Sequence, residues 1–170
     1  MSNNPGKTLG IGLAGFGTVG TGVWETFERN AELISSRSNV RVEIMRIAVR
    51  DINKTRPEGV PSERFTTDWK EVVDDPAVDI VVELIGGTTT AFDIVAAALR
   101  AKKPVVTGNK ALLAERGQEL FALSSEFNTP IHFEAAVAGG IPIIKTVQDS
   151  FVGNRIQSMV GIINGTSNYI

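Results

Sequence analysis

Three glycines, Gly15, Gly17 and Gly20, stand in the spacing G-x-G-x-x-G, with Phe16, Thr18 and Val19 between them. Each position has its own physical use. The first permits a sharp turn, the second lets main chain approach a pyrophosphate, and the third brings a helix close to a strand. Amides at the start of that helix then face the phosphates, because nothing inside the helix accepts their hydrogens. Three glycines alone also describe an ordinary strand-to-helix turn, so the flanks matter. Leu9, Ile11, Leu13 and Ala14 form an apolar strand-like run before the motif, and Val19, Val23 and Phe27 recur every four residues after it. Strand, tight turn and helix are the context that a dinucleotide site requires.

Further polar residues stand at the ends of later strand-like runs, where ligands collect in open α/β sheets. The run Val40, Val42, Ile44 ends near Val49-Arg50-Asp51, with Lys54 just beyond. Arg50 in the specifying place, with Lys54 beside it, favours the 2′-phosphate of NADP, since a planar guanidinium matches phosphate geometry. The alternative makes both solvated loop cations and puts Asp51 on the ribose of NAD. Gly86-Gly87, then Thr88-Thr89-Thr90, follow Ile80–Ile85 and could meet a cofactor's ribose or pyrophosphate, or simply turn the chain into a capped helix. Lys110 follows Val105-Val106-Thr107-Gly108-Asn109; its ammonium could hydrogen-bond a substrate oxygen or pass a proton, with partial burial lowering its pKa, or be a solvated helix-start residue. His132 is the only histidine and there is no cysteine, so the usual transition-metal ligand sets cannot be assembled. Glu134 with neighbouring carbonyls could instead hold a hard cation through oxygen.

The elements that must carry these residues alternate. A first helix fades around Ser35–Ser38, and a polar loop from Thr55 to Thr67 contains a short strand at Arg64–Thr66. Asp68 and Glu71 resemble a capping box for a helix Trp69–Asp74, in which Trp69 packs. The nearly continuous apolar run Ile80–Ile85 suits a central parallel strand. Helices over Ala91–Ala101, about Leu112 to Asn128 and Ile143–Val152 are expected, with strands at Pro104–Thr107, Ile131–Glu134 and Ile156–Ile163. The pattern predicts an α/β fold, a doubly wound, mostly parallel sheet forming a dinucleotide-binding (Rossmann) domain over residues 1–150. Residues 151–170 would open a second, substrate-binding domain with only its first strand present.

Composition narrows the partners. The 170 residues are 42% apolar and 21% charged, with a net charge of −2 and no basic stripe, which argues against nucleic acid and anionic membrane as ligands. Without cysteine there is no disulfide, no thiolate metal site and no thiol nucleophile. No apolar run approaches the ~20 residues of a membrane span, and Met1–Thr8 lacks a signal-peptide core. The reading is a cytoplasmic protein.

Four segments together resemble the homoserine dehydrogenase family: GLAGFGTVGTGV at Gly12–Val23, TGNKALLA at Thr107–Ala114, FEAAVAGGIPII at Phe133–Ile144 and GIINGTSNYI at Gly161–Ile170. The first is generic to dinucleotide folds; the other three in this order are specific. The resemblance implies NAD(P)-dependent interconversion of L-homoserine and L-aspartate 4-semialdehyde, on the route to threonine, methionine and isoleucine. It implies cofactor contacts at Phe16, Gly17, Thr18, Val19, Arg50, Lys54 and near Gly86 and Gly87, with Lys110 beside nicotinamide and substrate. It also implies a monovalent cation, sodium, with Glu134, Val137, Gly139 and Ile141 as ligands, several through main-chain oxygen.

One departure is large: the family's substrate-holding acids and a second, proton-transferring lysine lie beyond the N-G-T-S-N-Y segment. The chain is therefore expected to be an amino-terminal, cofactor-binding portion, inactive alone and monomeric, of an enzyme that dimerises through its second domain. Aldehyde dehydrogenases that form a thioester are excluded by the missing cysteine. A non-catalytic dinucleotide-binding or regulatory module is the alternative from another class; it would need neither Lys110 nor the N-G-T-S-N-Y segment.

Overall fold

The computed structural model describes residues 7–57 and 59–161. Strand β1, Thr8–Ala14, lies in the middle of the sheet and sorts its side chains by size. Ile11 and Leu13 are buried on one face, whereas Gly10, Gly12 and Ala14 occupy the alternate positions. The small residues are required there: a Cβ on Gly12 would lie 2.5 Å from Val72 Cγ1, and one on Gly10 would lie 1.7 Å from the Ala77 carbonyl oxygen.

Helix α1, Thr18–Ser38, starts from Gly17 and ends at Asn39, whose left-handed backbone (φ 56°) lets its N–H bond to Ser35 O. Trp24 is its buried anchor, with Val23 and Phe27 packed beside it. Val19, at the head of the same four-residue series, stays 62% exposed because it sits beyond the end of the sheet. Strand β2, Arg41–Ala48, runs parallel to β1, with a register shift between Ile11 and Gly12. A 3₁₀ turn at Ser62–Arg64 leads into β3, Phe65–Thr66.

Helix α2, Lys70–Asp74, is one residue shorter at its start than expected, and only half of the capping box forms. Asp68 Oδ1 accepts from Lys70 N at 2.9 Å, and no described bond returns from the Glu71 side chain. Then come β4 (Ile80–Glu83), α3 (Thr89–Arg100), β5 (Val105–Thr107), α4 (Lys110–Glu126) and β6 (Ile131–His132). All described pairs are parallel and the sheet order is β3-β2-β1-β4-β5-β6. Connections run one way from β1 and the other way from β4, so the carboxyl ends of these two strands flank the crevice of a doubly wound sheet.

Two apolar cores follow. Ile94, Val95, Leu99, Leu112 and Leu120 bury the helices α3 and α4 against Val81 and Val105. On the other core, Trp24 meets Leu13, Ile44, Ile47 and Val82. Val81 and Val82 thus serve opposite faces, which is why β4 reads as continuously apolar.

Beyond His132 the expected strand Ile131–Glu134 gives way to a 3₁₀ turn, Glu134–Ala136. The expected helix Ile143–Val152 is a short α turn, α5 (Ile143–Lys145), running into a π turn over Thr146–Ser150. The expected strand Ile156–Ile163 does not form over its described part, residues 156–161. Met159 and Val160 are 69% and 100% exposed there, so among the described residues the segment has no neighbouring strand to complete a ladder and no core to cover. Ile162, Ile163 and the polar run Asn164–Ile170 lie outside the described residues.

Candidate functional site

The turn after β1 is built from the three motif glycines, each in a different way. Gly15 takes φ 102°, and a Cβ on it would lie 2.8 Å from the Leu84 carbonyl oxygen. Its N–H donates to Ala48 O at 2.9 Å, which fastens the turn to the tip of β2. Gly20 is buried beneath this turn; a Cβ there would meet Gly15 O at 2.3 Å. Gly17 has open space where a Cβ would be. In the first turn of α1 the amides of Thr18, Val19 and Gly20 precede the first intrahelical bond, Thr21 N–H to Gly17 O at 2.9 Å, and so remain donors without a helical acceptor.

A cavity of about 550 Å³ opens at this edge, between the tips of β1, β2 and β4. Gly15, Phe16, Gly17, Arg50, Lys54, Gly86 and Gly87 all line it, as do Asp51 and Trp69. Its size lies in the ~300–1,000 Å³ range of small-molecule and cofactor sites. Phe16 is 5% exposed, and its ring packs edge-on against Phe65, with centroids 5.3 Å apart. Arg50 and Lys54 are exposed at the rim, and neither joins a described salt bridge. Asp51 turns its Oδ1 onto Asn53 N at 2.9 Å, so one carboxylate oxygen is engaged within its own loop. Trp69 lines the cavity and also packs against the core. Thr18 and Val19 stand on the first turn of α1, exposed and outside the cavity lining.

Arg56 joins this site, although nothing in a loop of proline, glycine and charge singles it out. Its Nη1 donates to Phe16 O at 3.0 Å and its Nη2 to Asp51 O at 2.7 Å, so it ties the glycine turn to the loop after β2. The guanidinium lies 5.8 Å and 5.2 Å from the ring centroids of Phe16 and Phe65.

Lys110 is the first residue of α4, and it is exposed rather than partly buried. A first-turn side chain on a helix starting at the sheet edge has solvent on its outer side. Neither it nor its neighbour Asn109 lines the cavity, but Asn109 Nδ2 donates to the carbonyl of Gly87, which does, at 2.7 Å. The same Asn109 caps α4 by accepting from Leu112 N at 3.1 Å. Behind Asn109, fully buried Glu83 at the end of β4 accepts from Thr107 Oγ1 at 2.6 Å and Ile85 N at 2.9 Å. The sequence pointed to none of Glu83, Thr107 and Asn109 as a group. A lone acid inside an apolar strand run was the available signal.

Glu134 uses its carboxylate as a cap. Oε1 accepts from Ile144 N at 3.0 Å and Oε2 from Lys145 N at 2.8 Å. This fixes the start of α5 and leaves main-chain oxygens as the free hard donors nearby. The Val137 and Gly139 carbonyls accept no described hydrogen bond, whereas those of Glu134 and Ile141 accept from Val137 N at 3.1 Å and Ile143 N at 2.8 Å. Ala138 (φ 54°) and Gly139 (φ 61°) curl this segment into a tight turn. No group of three or more His, Cys, Asp or Glu side chains that could hold a metal ion occurs among the described residues. His132 is exposed on the edge strand β6.

A second cavity of about 310 Å³ lies between α1 and β2, away from these strand tips. Two charged groups on its wall pair with each other: Arg64 meets Glu43 at 2.8 Å and lies 5.7 Å from the centroid of the Trp24 ring. No helix among the described residues is long and apolar enough to cross a membrane.

Comparison with known proteins agrees with this geometry. A sequence model described as "Homoserine dehydrogenase, NAD binding domain" matches residues 15–134, and one described as "Homoserine dehydrogenase" matches residues 142–170. The homoserine dehydrogenases of Neisseria gonorrhoeae and Bacillus subtilis are 47% and 43% identical over 165 and 164 residues, each match covering 96% of this chain and 38% of the relative. The crystal structure of a homoserine dehydrogenase from Thiobacillus denitrificans superposes with a TM-score of 0.85 at 46% identity, over 96% of this chain and 38% of that one. The chain thus spans about two fifths of the length of the relatives it matches. With a parallel six-stranded sheet, a glycine turn at its switch point and a family model covering most of its residues, the chain belongs to the homoserine dehydrogenase family.

Proposed function

We propose that this chain is the cofactor-binding portion of an NAD(P)-dependent oxidoreductase that interconverts L-homoserine and L-aspartate 4-semialdehyde by hydride transfer. The observation that carries the reading is the cavity at the switch point, lined by Gly15, Phe16 and the open Gly17 together with Gly86 and Gly87, with the first turn of α1 and its amides without helical acceptors directly following Gly17. These amides and the bare main chain hold the diphosphate. Arg50 and Lys54, exposed at the rim with no described salt-bridge partner, take the 2′-phosphate, which makes NADP the preferred coenzyme, with NAD possible. When bound, the nicotinamide supplies or accepts the hydride. Lys110 polarises the semialdehyde oxygen from the start of α4, and Asn109 ties that helix start to Gly87.

Glu134, Val137, Gly139 and Ile141, several of them through main-chain oxygen, hold a sodium ion, with the Glu134 carboxylate bracing the turn. Residues 1–150 form the dinucleotide-binding domain and 151–170 begin the substrate and dimerisation domain, a division supported by the separate family match that starts at residue 142. The exposed apolar side chains of Phe151, Val152, Met159 and Val160 suit packing against that further domain. A cytoplasmic compartment fits the cysteine-free composition.

Titration of the chain with NADPH and NADH, followed by tryptophan fluorescence, tests the binding reading. Tight NADPH binding is the expected result, and no response to either coenzyme removes the proposal. In a full-length enzyme containing this segment, Lys110→Ala should lower turnover while coenzyme affinity is kept; an unchanged rate would favour a non-catalytic module.

A further inference from the structure

Burying a carboxylate with no cation beside it is costly, and an apolar side chain like its strand neighbours Val81 and Val82 would serve the core better. Glu83 is nonetheless 0% exposed, and it joins no described salt bridge. What surrounds it is a set of donors. Thr107 Oγ1 lies 2.6 Å from Oε2, while Ile85 N and Asn109 Nδ2 lie 2.9 Å and 3.5 Å from Oε1. Thr107 Oγ1 in turn accepts from Asn109 N at 3.1 Å, which commits its own hydrogen to Glu83. A carboxylate accepts on every side and donates on none. It therefore fixes which way the Asn109 amide faces, with its nitrogen on Gly87 O and its oxygen on Leu112 N.

We propose that Glu83 is a positioning residue that locks the Ile85–Gly87 loop to the first turn of α4, so that the crevice-facing main chain and the helix start bearing Lys110 move as one unit. Its importance for the coenzyme rests on the dinucleotide reading given above; the mechanical coupling stands on the hydrogen bonds alone. Gln cannot replace Glu here at full strength. With its NH₂ at the Oε1 position it opposes two donors, Ile85 N and Asn109 Nδ2. With its NH₂ at the Oε2 position it forces the Thr107 hydroxyl to become an acceptor twice over.

Amide hydrogen exchange of the wild-type chain and Glu83→Gln, with NADPH titration in parallel, tests the inference. Exchange should accelerate about tenfold at Ile85 and at Leu112–Leu113 together, and NADPH affinity should fall about tenfold, as expected from losing one hydrogen bond to a charged group. Acceleration confined to one of the two segments overturns the coupling, and wild-type exchange in both overturns it as well. Wild-type NADPH affinity alongside paired acceleration overturns the positioning role for the coenzyme. Should Glu83→Gln fail to fold, Thr107→Val removes one donor to Glu83 together with the acceptor of Asn109 N and must reproduce the paired response, while Thr107→Ser must not. If the wild-type chain binds no NADPH, the dinucleotide reading falls, and the paired exchange response still decides the coupling.

Discussion

Gly17→Ala separates what the glycine turn does for the fold from what it does for a ligand. A Cβ at this position meets nothing within 4 Å, and the backbone lies at φ −86°, ψ −157°, an extended conformation that alanine adopts. Restricting the unfolded chain favours alanine by about 0.4–1 kcal/mol, and the poorer N-cap offsets about as much, so folding stability should change by no more than about 1 kcal/mol. The methyl group would nevertheless stand in the open space at the cavity, where the proposed function puts the diphosphate. Losing one charge-assisted hydrogen bond costs about 1.5–3 kcal/mol, or roughly 10- to 150-fold in Kd. The assay pairs thermal melting by circular dichroism with NADPH titration by tryptophan fluorescence. Gly20→Ala is the internal contrast: its Cβ would sit 2.3 Å from Gly15 O, and crowding against main chain should cost about 1–3 kcal/mol of stability or more. A Gly17→Ala protein that binds NADPH as tightly as wild type would refute the role given to this glycine.

Other outcomes follow from the same geometry. Arg50→Ala should weaken NADPH by about tenfold or more and leave NADH nearly unchanged, because an exposed guanidinium at the rim contributes only through the extra phosphate; equal losses for both coenzymes would contradict it. Arg56→Lys should loosen the glycine turn, since a single ammonium cannot bond Phe16 O and Asp51 O in the fork that the guanidinium provides; a melting temperature lowered by a few degrees and weaker binding of both coenzymes are expected. Glu134→Ala removes both acceptors from Ile144 N and Lys145 N, and faster amide exchange at these two residues is the check. Lys103 is held below the usual lysine range chiefly by burial, against the opposing pull of Asp75. Its charged form opposes folding below the folded-state pKa, and that opposition fades as pH rises through it toward the ordinary 10.5, so stability should rise in this alkaline window in wild type and not in Lys103→Met.

The sequence by itself determined the elements whose signals are local. Apolar periodicity, the G-x-G-x-x-G spacing and the proline and glycine stops specify β1, α1, β4, α3 and β5, because strand and helix periods and turn conformations depend on neighbours a few residues away. The cavity-lining glycines and Arg50 and Lys54 were legible for the same reason: they sit at strand ends, and strand ends in a parallel sheet share one edge. Whatever depends on partners distant in the chain was decided by the tertiary structure. Ile156–Gly161 reads as a strand yet forms none, since alternation cannot supply the neighbour that completes a ladder. Lys110 is exposed rather than half buried because exposure depends on what other elements cover. Arg56 reaches Phe16 O across 40 residues, and Glu83 meets Thr107 and Asn109 across 24 and 26 residues. A hydrogen bond has no sequence period, so only the packing of β4 against β5 and the loop after β2 against the glycine turn brings these polar groups together.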